Sequence, residues 1–129
     1  MPTVGDVMTR DLLTIEPAAA LTDAAQRMAS RGVGAVVVLD GERLTGILTE
    51  RDVLKAVATG LAPDAKVSDW MTRHPETVES DDATDHAASL MIHGGFRHLP
   101  VVDEGRVVGI LSIRDLMRVA LEDRAPRGV

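Results

Sequence analysis

The sequence predicts an α/β fold of the α+β type, in which two β-α-β-β-α repeats pack with pseudo-two-fold symmetry. Three observations predict it. The chain matches itself: shifted by 63 positions, Val4–Gly60 aligns with Val67–Asp123 without a gap and with 20 identities, against roughly 4 expected from ordinary residue frequencies. Within each copy the apolar spacing switches between helical period and β-branched runs. Each copy, at about 57 residues, buries too little surface to be comfortable alone, so the two are expected to close on each other.

The elements follow in order. Val4–Thr9 and Val67–Thr72 read as short helical turns, and Leu13–Ile15 and Glu76–Val78 as brief extended segments. Leu21, Ala24, Ala25 and Met28 fall at i, i+3, i+4 and i+7, the stripe of an amphipathic helix. Its counterpart carries Ala87, Ala88 and Met91, with Asp82 as the expected N-cap. Gly32 and Gly95 end these helices, because glycine accepts the left-handed conformation after a last turn. The runs "AVVVLD" and "LPVVD" stop at Asp-Gly and Asp-Glu-Gly, so each opens a hairpin. Leu44–Leu48 and Val107–Leu111 are the returning strands. A final helix is expected to carry Val53, Leu54 and Val57, or Leu116, Met117 and Ala120, on its inner side. A helix joins the first two strands of each copy, so these should lie parallel with a right-handed crossover. The expected boundaries are 4–60 for repeat 1, 61–66 for a linker containing Pro63, 67–123 for repeat 2 and 124–129 for a frayed tail.

Composition narrows the function. Apolar residues make up 45%, with one Phe, one Trp and no Tyr, so the core must be aliphatic. A net charge of −6 argues against nucleic acid as the main partner. The absence of cysteine removes disulfides, thiolate metal sites and cysteine nucleophiles, and fits a reducing cytoplasm. No apolar run approaches the roughly 20 residues of a membrane span, and no secretory signal is visible. The expected setting is therefore cytoplasmic. His86 and His93 lie seven apart on one expected helix, roughly 10 Å apart at a 1.5 Å rise, too far to share a metal. No nucleophile elbow or other catalytic pattern is present. The expectation is no enzyme, no metal and no obligatory cofactor.

One phrase is said twice: "GILTERD" at Gly46–Asp52 and "GILSIRD" at Gly109–Asp115. Its plainer reading is a capping box, with Thr49 or Ser112 starting the last helix and Asp52 or Asp115 answering three residues later. Gly46 and Gly109 then relieve crowding in a strand. Its functional reading uses the same geometry. A helix N-terminus offers N–H groups to a phosphate, a hydroxyl can donate to it, and a carboxylate can accept from the two vicinal hydroxyls of a ribose. A glycine lets a planar ring come close. On the functional reading Asp115→Ala abolishes ligand stabilisation and barely changes the free protein; on the capping reading Ser112→Ala costs about 1 kcal/mol.

With "DVMT", "RHLPVVD" and the repeated phrase, the chain resembles the cystathionine-β-synthase (CBS) domain family, in the tandem arrangement called a Bateman module. The resemblance covers all but the short ends and suggests a free-standing pair. It implies a regulatory module that binds an adenosyl ligand (AMP, ADP, ATP, S-adenosylmethionine or a related compound) and acts as an energy or metabolite sensor. It implies that Thr49 with Asp52 and Ser112 with Asp115 hold phosphate and ribose. Arg97 and His98, at the lip of repeat 2's middle strand, would reach the phosphate, Arg97 foremost because its charge is permanent. Repeat 1 has Gly34 and Ala35 there, so the two sites should differ. Arg51 and Arg114 either help or are plain solvated residues, and Phe96 either stacks on a base or packs. Ile15, Val36, Val78 and Leu99 either line the adenine or are plain core. The resemblance further implies a homodimer and an enzyme or transporter as partner. The alternative is a ligand-independent interaction or stress-response scaffold with vestigial pockets.

Overall fold

The computed structural model describes residues 2–124, with the side chains of residues 123 and 124 excepted. The elements run α1 (Val4–Val7), β1 (Thr14–Ile15), α2 (Leu21–Arg31), β2 (Ala35–Asp40), β3 (Arg43–Thr49), α3 (Glu50–Ala58), α4 (Val67–Trp70), β4 (Thr72–Arg73), α5 (Thr84–Gly94), β5 (His98–Asp103), β6 (Arg106–Ser112) and α6 (Ile113–Arg124). The residue at which the tail was expected to begin, Arg124, still belongs to α6, and 125–129 lie outside the described residues.

The chain divides into two compact α/β units, and these are not the two sequence repeats. One unit is the contiguous segment Leu12–Pro75; the other joins the residues up to Asp11 to those from Glu76 onward. Each repeat thus gives its leading turn to the unit built around the other repeat's hairpin.

In the contiguous unit the sheet order is β1-β2-β3-β4. β1 lies parallel to β2, as the helical connection through α2 requires, and β2–β3 and β3–β4 are antiparallel. β4 is the strand that follows the leading turn α4. In the other unit β5 and β6 pair antiparallel, and single bridges complete the same pattern: Val78 with Val101, parallel, and Thr9 with Ile110, antiparallel. Both hairpins carry a register shift at the same place, between Val38 and Leu39 and between Val101 and Val102. The second hairpin turns through Glu104 (φ 50°) and Gly105 (φ 79°), the paired positive φ values that a tight turn between right-twisted strands demands.

Each unit has its own aliphatic core. Ile15, Leu21, Ala24, Met28, Val36, Val38, Leu48, Ala56, Ala65 and Val67 form one cluster. Val4, Met8, Val78, Ala87, Met91, Leu99, Val101 and Leu111 form the other. Val67 and Val4, both fully buried, anchor the exchanged leading turns. Burying a Leu or Val of this kind is worth about 1.5–3 kcal/mol.

Two local expectations are corrected. The N-cap of α5 is Ala83; the Asp82 carboxylate instead accepts from the Glu79 N–H at 2.8 Å, one turn earlier. On the last helices Val53 and Leu116 pack inward, but Leu54 and Val57 are 68% and 57% exposed, Met117 is 58% exposed, and Ala120 is exposed. The inner stripe holds Asp52, Val53 and Ala56, or Asp115, Leu116 and Val119. The caps turn the two aspartates inward and rotate the apolar phase by one position.

Candidate functional site

Each copy of the repeated phrase runs off the end of a strand into a helix. In the contiguous unit β3 ends at Thr49, which pairs with Ala35, and the Glu50 N–H donates to the Gly34 carbonyl at 3.0 Å. In the other unit Ser112 pairs with His98, and the Ile113 N–H donates to the Arg97 carbonyl at 2.8 Å. Sheet register therefore brings Arg97 and His98, or Gly34 and Ala35, beside the hydroxyl of the phrase.

The hydroxyl and carboxylate close on each other as capping boxes. Asp52 Oδ2 accepts from the Thr49 N–H at 2.9 Å and from the Thr49 hydroxyl at 3.1 Å, and the Asp52 N–H donates to Thr49 Oγ1 at 3.4 Å. Asp115 Oδ2 accepts from the Ser112 N–H at 2.9 Å, and the Asp115 N–H donates to Ser112 Oγ at 3.0 Å. The same clasp, a carboxylate accepting from the N–H three residues back, recurs at Thr3–Asp6, Lys66–Asp69 and Glu79–Asp82. The clasp itself is thus a general device of this chain for satisfying helix and turn starts. Thr3–Asp6 has a hydroxyl as well; what sets the two phrases apart is that neither the hydroxyl residue nor its aspartate is exposed. Thr49, Asp52 and Ser112 are half-buried, and Asp115 is only 4% exposed.

Asp115→Ala cannot leave the free protein unchanged, contrary to the expectation above, because it deletes the acceptor for the Ser112 N–H. Capping does not consume the whole carboxylate, however. The cap uses Oδ2 in both copies. Asp115 Oδ1 accepts a long 3.5 Å contact from Arg118, whose side chain is 58% exposed. A vicinal diol needs one oxygen of this kind.

The remaining expected residues sort by unit. Arg97 is exposed and His98 half-buried, both in the unit of Ser112 and Asp115; Arg51 and Arg114 are exposed in the first turns of α3 and α6. Phe96 folds over Gly94, within 3 Å of where a Cβ would stand, and packs on the core. Ile15 and Val78, 5% and 3% exposed, are core residues of their respective units, as are Val36 and Leu99. Gly46 and Gly109 serve close packing: a Cβ there would stand 2.7 Å from Met71 Sδ and 2.6 Å from Met8 Sδ.

One residue escaped the sequence reading. Glu50 lies inside the first phrase, and its carboxylate rests against Gly34, where a Cβ would meet Glu50 Oε1 at 3.2 Å. The signal was the one unlike pair inside the phrases, Glu50 against Ile113. A shallow surface depression of about 510 Å³ lies elsewhere, lined by Leu13, Asp23, Gln26, Arg27, Ser30 and Arg31, and includes no residue of either phrase. Among the described residues no group of three or more His, Cys, Asp or Glu is placed to hold a metal, and no helix is long and apolar enough to cross a membrane.

Comparison with known proteins supplies the context. The family model described as CBS domain matches residues 4–59 and again 67–122. An uncharacterised 17.7 kDa protein of Acidianus ambivalens is 36% identical over 121 residues, spanning 92% of this chain and 73% of that protein. The chain spans as little as 19% of other relatives it matches. A crystal structure of CBSX2 in complex with AMP superposes with a TM-score of 0.85 at 30% identity, covering 97% of this chain and 100% of the other. The CBS domain pair of protein MJ0100, crystallised with 5′-methylthioadenosine and S-adenosyl-L-methionine, superposes with a TM-score of 0.89 at 27% identity, covering 95% and 98%.

Proposed function

This chain belongs to the CBS-domain family, as a tandem pair of repeats, and we propose on that basis that it is a regulatory module that binds an adenosyl ligand and performs no catalysis of its own. The observation that carries the reading is the likeness, over nearly the whole chain, to pairs crystallised with AMP and with S-adenosylmethionine, joined to two intact hydroxyl-and-carboxylate phrases. Thr49 and Ser112 sit at helix N-termini, where a phosphate finds N–H groups and the positive end of the dipole. Asp52 and Asp115 keep an oxygen for the ribose diol. Arg97, next to His98 in sequence, and Arg114, in the first turn of α6, supply positive charge in the second unit, and Arg51 does so in the first.

As a cytoplasmic energy or metabolite sensor, the module would report occupancy by shifting between two packings, which requires a ligand that prefers one of them. We further propose a homodimer, with the exposed Leu54, Val57, Met117 and Leu121 of the last helices meeting a second copy. A partner enzyme or transporter would read the shift.

The test is thermal unfolding with adenosine, AMP, ADP, ATP and S-adenosylmethionine. A ligand at about 100 times its Kd stabilises the fold by about 2.7 kcal/mol, and Asp52→Asn together with Asp115→Asn removes the shift. No shift with any of these compounds would leave the two phrases as caps alone and favour the interaction-scaffold reading.

A further inference from the structure

We propose that the two phrases sort adenosyl ligands by charge: the Thr49–Asp52 phrase takes a phosphate-free adenosyl compound, and the Ser112–Asp115 phrase takes a phosphorylated one. The inference rests on the adenosyl-binding reading and assigns a specificity-determining residue, Glu50, to it.

The two sites are alike in backbone and unlike in charge. In both, the first N–H of the last helix donates to the carbonyl of the residue preceding the middle strand, Gly34 in one and Arg97 in the other. At Gly34 the Glu50 carboxylate borders the space of the missing side chain, with Oε1 3.2 Å, Cδ 3.4 Å and Oε2 3.7 Å from the Cβ position. Glu50 is the first residue of α3, so its carboxylate stands at the positive end of the helix dipole. A ligand phosphate would be drawn to the same end, and would meet a like charge there. In the second unit Ile113 takes the place of Glu50, and Arg97 takes the place of Gly34. The charged residues of the lip and phrase are Glu50, Arg51 and Asp52 in the first case, a net −1, and Arg97, Arg114 and Asp115 in the second, a net +1. Ribose and base are uncharged and can be accepted at both; the 5′ substituent decides.

Adenosine and AMP differ only in the phosphate and are the matched probes. Their dissociation constants are measured by titration calorimetry on the Asp115→Asn and Asp52→Asn chains, whose folding is checked by circular dichroism. Asparagine keeps the cap's acceptor oxygen and removes the carboxylate. With Asp115→Asn, adenosine binds at least as tightly as AMP, and adding Glu50→Gln tightens AMP roughly tenfold without moving adenosine, the size of effect expected of two close unit charges near a protein surface. With Asp52→Asn, AMP binds roughly tenfold tighter than adenosine, and adding Arg97→Gln erases the difference. Equal affinities for the two probes in both chains, or a Glu50→Gln effect equal for both, overturn the charge sorting and leave adenosyl binding standing. Binding of neither probe to the wild type overturns both readings together.

Discussion

Gly46→Ala measures what the first residue of the repeated phrase is for. An added Cβ would lie 2.7 Å from Met71 Sδ, 2.8 Å from the Thr72 carbonyl oxygen and 3.0 Å from Met71 Cγ. The sulfur ends a flexible side chain and can swing aside. The carbonyl belongs to β4, where Thr72 pairs with Ile47 and Arg73 with Gly46. Restoring ordinary contact moves β4 outward by about half an ångström and loosens both pairings. Overpacking of this kind costs about 1–3 kcal/mol. Alanine returns about 0.4–1 kcal/mol by stiffening the unfolded chain. The net expectation is a loss of about 0.5–2 kcal/mol, read as a lower urea midpoint at unchanged slope. Adding Met71→Ala recovers little, because the carbonyl clash persists. Gly109→Ala should cost less, since Thr9 O stands 3.0 Å away. A neutral or stabilised Gly46→Ala protein that has lost adenosyl binding would refute the packing account and give the glycine to the ligand.

The capping boxes predict an order of stabilities: Ser112→Ala loses about 1 kcal/mol, Asp115→Ala loses about 1–3 kcal/mol because the Ser112 N–H is left without its acceptor, and Asp115→Asn loses least, all by urea unfolding. Asp103 is held below its ordinary 3.8 first by the Ser80 hydroxyl, at 2.6 Å, then by the Ser80 N–H. A depressed carboxyl stabilises the fold above its unfolded value and surrenders that contribution as pH falls through its folded one. Ser80→Ala should therefore raise the Asp103 midpoint toward 3.8 in a carboxyl NMR titration and flatten the stability loss below about pH 4; an unmoved midpoint refutes the assignment. Met117→Glu with Leu121→Glu should yield a folded monomer by sedimentation equilibrium if the last helices join two copies; an unchanged mass sends the interface elsewhere.

Much of this was legible in the sequence because its cause is local. The Gly32 and Gly95 helix ends, at φ 65° and 74°, follow from a conformation only glycine takes freely. The hairpins follow from β-branched runs broken at Asp-Gly. The capping boxes follow from residue type and a three-residue spacing. What escaped is long-range or depends on phase. The pairing of β3 with β4 joins residues of different repeats, and a sequence period shows that two copies exist without showing which leading turn completes which sheet. The outward turn of Leu54, Val57 and Met117 was missed because the caps draw Asp52 and Asp115 inward, and a polar residue at the start of an apolar stripe shifts its apparent centre. Glu50 was passed over because its partner is a glycine, which offers no side chain to pattern against.

The exchange of leading turns sets an order of assembly during synthesis. Leu12–Pro75 is one unbroken stretch, so every strand of its sheet is available once Arg73 has cleared the ribosome. Thr9 is made earlier still, yet its partner Ile110 comes late, after the whole intervening unit. Val4 and Met8 therefore wait for Leu99, Val101 and Leu111 to be made before the cluster that buries them can close.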